Sequence, residues 1–306
     1  MSELSLRLGL TMWSHNDWLH SFYGSGTKSS QRLERYASVF HTVEGNTTFY
    51  ATPSDNTVNN WDKATPDHFR FTFKLPKSIT HEQQLRHCQA LLHDFLTTMS
   101  PLREKLGMLT IQLPRRFGPN DLPALQSFCQ HFPNDMPLGV EVRHPAFFQK
   151  GPHEKALNQW LLEHGIDRII MDSRPVFAAK PDSPAVIDAH SNKPKVPVHA
   201  ISTGQHPMIR FIGHPELEAN NPFFKPWLNK LPEWIAQGKQ PYLMIHTPDN
   251  QYAPELALQL YTQLQRHVGQ VPGINQVSGI NQPISLPSLA SFPPSADEHQ
   301  ITMFKY

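Results

Sequence analysis

Glu141 and Arg143 lie in the run Leu138-Gly139-Val140-Glu141-Val142-Arg143-His144-Pro145, which follows Pro137 and stops at Pro145. A short β-branched run bounded this way reads as a strand. Alternate side chains of a strand share a face, so Val140 and Val142 point one way and Glu141 and Arg143 the other. Other apolar runs carry polar groups towards their C-terminal ends. Glu44 and Asn46 close His41 to Asn46, Lys74 lies near the end of Phe69 to Leu75, and Gln112 near the end of Met108 to Leu113. Asp172 ends Arg168 to Asp172, Arg210 sits within Met208 to Ile212, and His246 follows Tyr242 to Ile245, with Asp249 and Asn250 just beyond. Brought together, these groups could do acid–base chemistry on an anion. Glu44, Glu141 or Asp172 would serve as general base, and His246 as acid or proton shuttle. Lys74, Arg143 and Arg210 would hold a phosphate or carboxylate.

The elements that would position them alternate between strand and helix. Strands are expected at Leu6 to Leu10, His41 to Asn46, Phe69 to Leu75, Met108 to Leu113, Leu138 to Arg143, Arg168 to Asp172, Met208 to Ile212 and Tyr242 to Ile245. Helices are expected from Ser29 or Ser30 to Phe40, after a Ser54 cap, over Glu82 to Met99, Pro123 to His131, Glu154 to His164, Pro226 to Ala236 and Ala253 to Val268. Cys88 falls on the apolar stripe of the Glu82 to Met99 helix and reads as a core thiol. Pro175 to Pro207 shows no helical stripe and reads as a long loop, a functional lid or an irregular segment. A strand–helix unit repeated at roughly 30-residue intervals predicts a parallel sheet, and eight repeats predict an α/β fold of the (β/α)8 TIM-barrel type. An open doubly wound sheet is the alternative, but its usual Gly-x-Gly-x-x-Gly turn is missing.

Parity then sorts the side chains. With Val43, Phe71, Phe73, Ile111, Ile209 and Phe211 facing the helices, Glu44, Asn46, Arg70, Thr72, Lys74, Thr110, Gln112 and Arg210 face the barrel interior. Barrel active sites form at the C-terminal strand ends, where these groups cluster. Glu44, Glu141 and Asp172 against Lys74, Arg143 and Arg210 could equally form a structural ion-pair network, because buried charges need partners. Trp13, Tyr23 and Tyr50 would wall the pocket and stack on a ring, or simply pack. Asp249 and Asn250 after Pro248 are either site residues or a self-capping turn.

The chain has 306 residues, 39% of them hydrophobic and 17% charged, with a net charge of +1, as expected for one globular barrel without a field that selects nucleic acid or a membrane. Cys88 and Cys129 form no Cys-x-x-Cys pair, so zinc-ribbon and thioredoxin-like readings fail. No uncharged run reaches the length needed to cross a bilayer, and Met1 to Ser5 does not begin a signal peptide. A cytoplasmic setting is expected. The barrel is assigned to residues 1–268. Residues 269–306, where Gly273-Ile274-Asn275-Gln276 recurs as Gly279-Ile280-Asn281-Gln282, read as a poorly structured proline- and serine-rich tail whose apolar end, Ile301 to Phe304, could dock.

Val43-Glu44-Gly45-Asn46-Thr47-Thr48-Phe49-Tyr50, Phe71 to Pro76 with Ile79-Thr80-His81, Val140 to His144, and His246-Thr247-Pro248-Asp249-Asn250 resemble motifs of the domain-of-unknown-function 72 family, also called YecE-like. Trp13 and the loop of Trp18, Phe22 and Tyr23 fit as well, and the resemblance spans about residues 6–268. It implies a barrel of this kind and assigns no reaction. Gly45 stands where a bulkier strand residue would be expected, which would loosen the second strand.

Three functions are compatible with these residues. The first is an enzyme acting on a small polar or anionic substrate at the barrel mouth. The second is a non-catalytic binder of a nucleotide or phosphorylated metabolite, or a protein that uses its proline-rich segments for interaction. The third is a divalent-metal isomerase or hydrolase with Glu44, Glu141, Asp172 and His246 as ligands. Interior cations disfavour the metal, so no cofactor is expected. No basic run interleaves with aromatics, so nucleic acid is not expected as a partner.

Overall fold

The computed structural model describes residues 6–270 except Asn134. Its core is one all-parallel sheet of nine segments: β1 (Arg7–Leu10), β2 (Thr42–Gly45), β3 (Arg70–Lys74), β4 (Leu106–Gln112), β5 (Leu138–Glu141), β6 (Asp167–Arg168), β7 (Ile170–Asp172), β8 (Met208–Ile212) and β9 (Tyr242–His246). Their order is β6-β5-β4-β3-β2-β1-β9-β8-β7. β6 and β7 flank the single residue Ile169, whose N–H donates to Val140 O at 2.9 Å. The two ends of the order are thus consecutive pieces of one strand, and the sheet returns on itself as the expected (β/α)8 barrel. Helices Arg32–Ala37, Asp55–Lys63, Gln89–Met99, Leu122–Cys129, Pro152–Glu163, Asn221–Ala236 and Ala253–Gln270 surround it.

The two faces of the strands differ as parity requires. Val43, Phe71, Phe73, Ile111, Val140, Ile209, Phe211, Leu243 and Ile245 join the large core beneath the helices. Inside the barrel, Met108, Ile169, Met208, Tyr242 and Met244 form a separate apolar plug towards the N-terminal strand ends. Above it the interior turns polar. This plug shuts the lower half of the cylinder to water, so the charges above it have only the mouth to face. Two strand positions must be small, Gly139 inside the barrel and Gly45 on the helix-facing side. A Cβ on Gly139 would lie 2.6 Å from Met108 Sδ, and one on Gly45 would lie 2.4 Å from two ring carbons of Phe73. Gly45 therefore does not loosen β2, contrary to the expectation above. Glycine is what lets the Phe73 ring approach that strand.

Three elements differ from the sequence reading. The helix expected from Glu82 begins only at Gln89. A π-turn over Ser78–Glu82 precedes it, and Gln84, Leu85 and His87 adopt φ of 47°, 65° and 52°, which no α-helix tolerates. Leu85 and Cys88 are nevertheless buried, so the apolar stripe was real although part of it lies on a folded-back turn. The helix expected from Pro226 starts at Asn221 and carries Pro226 and Pro232 internally. Burial of Phe224, Trp227, Leu231 and Trp234 on one side offsets the hydrogen bonds that the prolines cannot donate.

The segment read as a loop, Pro175 to Pro207, contains two helices, Arg174–Ala178 and Pro184–Asn192. Each has proline in its first turn, where a missing N–H costs nothing, and Ser183 Oγ caps the second by accepting from Val186 N at 3.3 Å. Val176 and Ala189 pack on Met171 and Ile212, the topmost inward residues of β7 and β8. The helix pair therefore caps one side of the barrel mouth. The last helix runs on through Gly269 and Gln270, the first two residues of the expected tail, and the rest of that tail lies outside the described residues. Among the described residues no helix is long and apolar enough to cross a membrane.

Candidate functional site

Glu44, Lys74, Glu141 and Arg210 come from β2, β3, β5 and β8 and meet inside the mouth. Arg210 binds Glu44 with both arms of its guanidinium, Nε to Oε2 at 2.7 Å and Nη2 to Oε1 at 2.9 Å. Its Nη1 donates to Glu141 Oε2 at 2.9 Å. Arg143 reaches back from the end of β5 to Glu141, with Nε and Nη2 both 2.7 Å from Oε1. Lys74 Nζ lies 3.4 Å from Glu44 Oε1. All but Arg143 are buried; the Arg143 side chain is 22% exposed and opens onto the mouth. Two carboxylates here face three cations.

This arrangement fixes protonation. Burial opposes ionisation of Glu44, but the Arg210 and Lys74 charges outweigh it and hold the carboxyl below its usual range. Burial also opposes ionisation of Glu141, yet Arg143, Arg210 and Lys74 bring it down to about 2. Both glutamates are thus firmly ionised and weakly basic, a poor match for the general-base role. Burial and the neighbouring Arg210 lower the Lys74 ammonium, with Glu44 and Glu141 opposing.

His246 ends β9 on the inward face, in phase with Tyr242 and Met244. Burial first, then the charges of Lys193, Arg210 and Lys74, pushes its imidazole well below the ordinary histidine range. The ring is therefore neutral at pH 7 and, like the glutamates, weakly basic. Among the described residues its buried Nδ1 has no hydrogen-bond partner, and neither have Gln112 Oε1, Thr110 Oγ1 or Asn46 Oδ1. Gln112 stands in register with Glu141 and Thr110 with Lys74. Asn46 donates from Nδ2 to Thr11 O at 2.9 Å, tying the β1 loop to the end of β2.

Other expected site residues lie elsewhere. Asp172 turns outward: it accepts Trp227 Nε1 at 2.8 Å, and Arg174 Nε and Nη2 at 2.8 and 2.7 Å. Parallel register pairs Met171 with inward Arg210 and Asp172 with outward Phe211. The consecutive isoleucines at 169 and 170 leave no alternation in the sequence from which to read that phase. Asp249 is exposed and accepts Gln251 N at 3.0 Å, the self-capping turn. Asn250 takes φ 65°, a conformation asparagine tolerates, and its carbonyl accepts Trp18 Nε1 at 2.8 Å.

The aromatic residues pack and do not wall the pocket. Trp13 meets Trp61 and Phe71 edge-on at 5.3 and 6.4 Å. Tyr23 is fully buried and donates its hydroxyl to Trp13 O. Tyr50 is 72% exposed and turned to Phe49.

The cap supplies a residue the sequence reading missed. Lys193, directly after the helix Pro184–Asn192, is half-buried over the mouth. Burial, then Arg210 and Lys74, brings its ammonium down to about 8. The Ser183-Pro184 start with Val186 and Ala189 three apart was the available signal. Beside Lys193 lies a cavity of about 690 Å³ whose lining includes Arg115, Arg143, Lys193 and Lys195, with His81 from the folded-back turn.

The expected alternative metal set does not form. Asp172 is absent from the mouth, both glutamates are committed to cations, and among the described residues no three His, Cys, Asp or Glu side chains converge as ligands. No metal step is drawn from these residues.

The sequence matches the family described as "Protein of unknown function DUF72" over residues 7–279, a span that runs past the expected boundary at Val268. It is 47% identical over 270 residues to the UPF0759 protein YecE of Escherichia coli K12, covering 87% of this chain and 96% of that protein. The UPF0759 protein YunF of Bacillus subtilis is 28% identical over 158 residues, covering 49% of this chain and 55% of that protein. Among solved structures, a DUF72 family protein from Thermotoga maritima superposes with a TM-score of 0.66 at 25% identity, covering 85% of this chain and 98% of the other. A DUF72 family protein from Enterococcus faecalis gives a TM-score of 0.66 at 24% identity, covering 86% and 99%. With a barrel of the same architecture and a family match over nearly its whole described length, the chain belongs to the DUF72 family.

Proposed function

We propose that the barrel mouth binds the anionic group of a small polar substrate, a phosphate or a carboxylate, and acts on that substrate by proton transfer. One observation carries the reading: among the described residues Lys74, Arg143 and Arg210 surround only Glu44 and Glu141, and Lys193 adds further positive charge from the cap. An interior cluster with a surplus cation is incomplete as a structural network, because a buried unpaired charge is costly. An incoming anion completes it. The glutamates hold Arg210 and Arg143 in place and are not the bases. His246, neutral at pH 7 and with an unpartnered ring nitrogen among the described residues, is placed to relay a proton from a substrate seated on the cations, taking it at one ring nitrogen and releasing it at the other, without holding the imidazolium charge that burial and the cations disfavour.

The test is thermal stability of the purified chain with orthophosphate, acetate and small dicarboxylates, at ionic strength matched with chloride. A ligand that binds the native state raises its melting temperature. Orthophosphate or a carboxylate should stabilise beyond chloride, and Arg143→Gln should remove the effect. Equal behaviour of all salts sinks the reading. A binder without turnover is the second reading, favoured by the locking of both glutamates in ion pairs. Depletion of a stabilising metabolite by the native chain but not by His246→Gln distinguishes the two.

A further inference from the structure

We infer that the cavity between the cap and the strand ends is a second anion subsite, and that the ligand is an organic di- or polyphosphate of nucleotide size. This rests on the anion-binding reading above and extends it to the substrate's class.

Three observations support the assignment. The first is charge. Arg115, Arg143, Lys193 and Lys195 line the cavity, and no aspartate or glutamate does. Arg143 is paired with Glu141, but among the described residues Arg115 and Lys193 have no ion-pair partner, and Lys195 meets only the Phe177 ring, at 5.4 Å. The second is size. At about 690 Å³ the space falls within the roughly 300–1,000 Å³ of small-molecule sites and is far larger than one phosphate or carboxylate needs. The third is connection. Arg143 belongs to both places: it binds Glu141 in the inner cluster and lines the cavity. A ligand with one anionic group on Lys74 and Arg210 therefore reaches the outer cations only through a second anionic group further along its chain. Pro145 and Phe148 give the cavity an apolar wall for the organic part. Dense guanidinium and ammonium groups suit phosphate oxygens, each of which accepts charge-assisted hydrogen bonds.

Isothermal titration of the full chain against orthophosphate, pyrophosphate, adenosine diphosphate, citrate and a short single-stranded oligonucleotide, at matched ionic strength, tests this. Pyrophosphate and adenosine diphosphate should bind at least about tenfold more tightly than orthophosphate, the gain expected from one or two added charge-assisted contacts. The double variant Arg115→Gln/Lys195→Gln alters exposed side chains and should fold normally. It should lose most of that advantage while its affinity for orthophosphate holds. Orthophosphate binding with no diphosphate advantage, or an advantage that survives in the variant, overturns the second subsite and leaves the inner one standing. Preference for citrate overturns the phosphate assignment, and preference for the oligonucleotide overturns the small-ligand assignment. If no anion binds, the underlying reading falls as well.

Discussion

Arg210 of β8 clasps Glu44 of β2 across the barrel, Nε to Oε2 at 2.7 Å and Nη2 to Oε1 at 2.9 Å. The two residues are far apart in sequence and sit on strands that are not neighbours in the sheet. The clasp therefore exists only because the sheet curls to bring their inner faces together, and the guanidinium is the hub to which Glu141 also attaches. Arg210→Ala would leave both glutamates buried without it. Breaking a buried ion pair from one side costs about 3–5 kcal/mol. Urea unfolding should show a loss of that size, whereas a surface change such as Lys195→Gln should leave the midpoint unmoved.

Acid should weaken the fold in a defined window. Glu141 has a folded value of about 2, below the ordinary 4.5, so the unfolded state binds the proton first. Its contribution is fully present above about pH 4.5 and is lost as pH falls through the folded value near 2. At about 1.4 kcal/mol per pKa unit, the amount is about 3 kcal/mol. Glu44 shifts in the same direction. Unfolding free energy should begin to fall below about pH 6.5, where the unfolded chain protonates His246 while the buried ring stays neutral, and fall more steeply below about pH 4.5 as the glutamates contribute. At pH 3.5 the carboxyl carbon resonance of Glu141 should still report the ionised form, and Glu44 should titrate below an ordinary glutamate; titration of either at an ordinary glutamate value would falsify the assignment.

Asp172 separates stability from binding. Asp172→Ala removes the acceptor of Trp227 Nε1 and of Arg174 and should cost about 1–3 kcal/mol for the buried indole donor left unpaired. Anion-induced stabilisation should persist in the variant with its magnitude unchanged. A matched loss of binding would return Asp172 to the site.

Gly45→Ala should destabilise, because the added methyl meets Phe73 ring carbons at 2.4 Å. Overpacking of this kind costs about 1–3 kcal/mol. Phe73→Leu in the same chain should recover part of it, and a neutral result for Gly45→Ala would show that the ring can move aside.

His246→Gln should spare anion binding and abolish any proton-transfer turnover. The neutral imidazole also predicts that turnover does not decline through an ordinary histidine titration near pH 6.5. A decline centred there, seen in the native chain and missing in the variant, would mean that the ring is solvated.

Much of this barrel could be read from the chain because strand phase is written in alternating residue types. Phe71 and Phe73 flanking Thr72, or Val140 and Val142 flanking Glu141, state which way each side chain points, and the eightfold rhythm of strand and helix states that the sheet closes. That was enough to bring Glu44, Lys74, Glu141, Arg143, Arg210 and His246 to one mouth. Where alternation fails, as at Ile169-Ile170, phase is undetermined, and only the register of Met171 on Arg210 turned Asp172 outward. Protonation was likewise beyond the sequence, because it depends on distances between charges from different strands: these made the glutamates weak bases and kept His246 neutral. Lys193 was hidden for a related reason. The start of the helix before it is legible at Ser183-Pro184, but its seat over the mouth depends on packing of Val176 and Ala189 on Met171 and Ile212, a contact between distant segments.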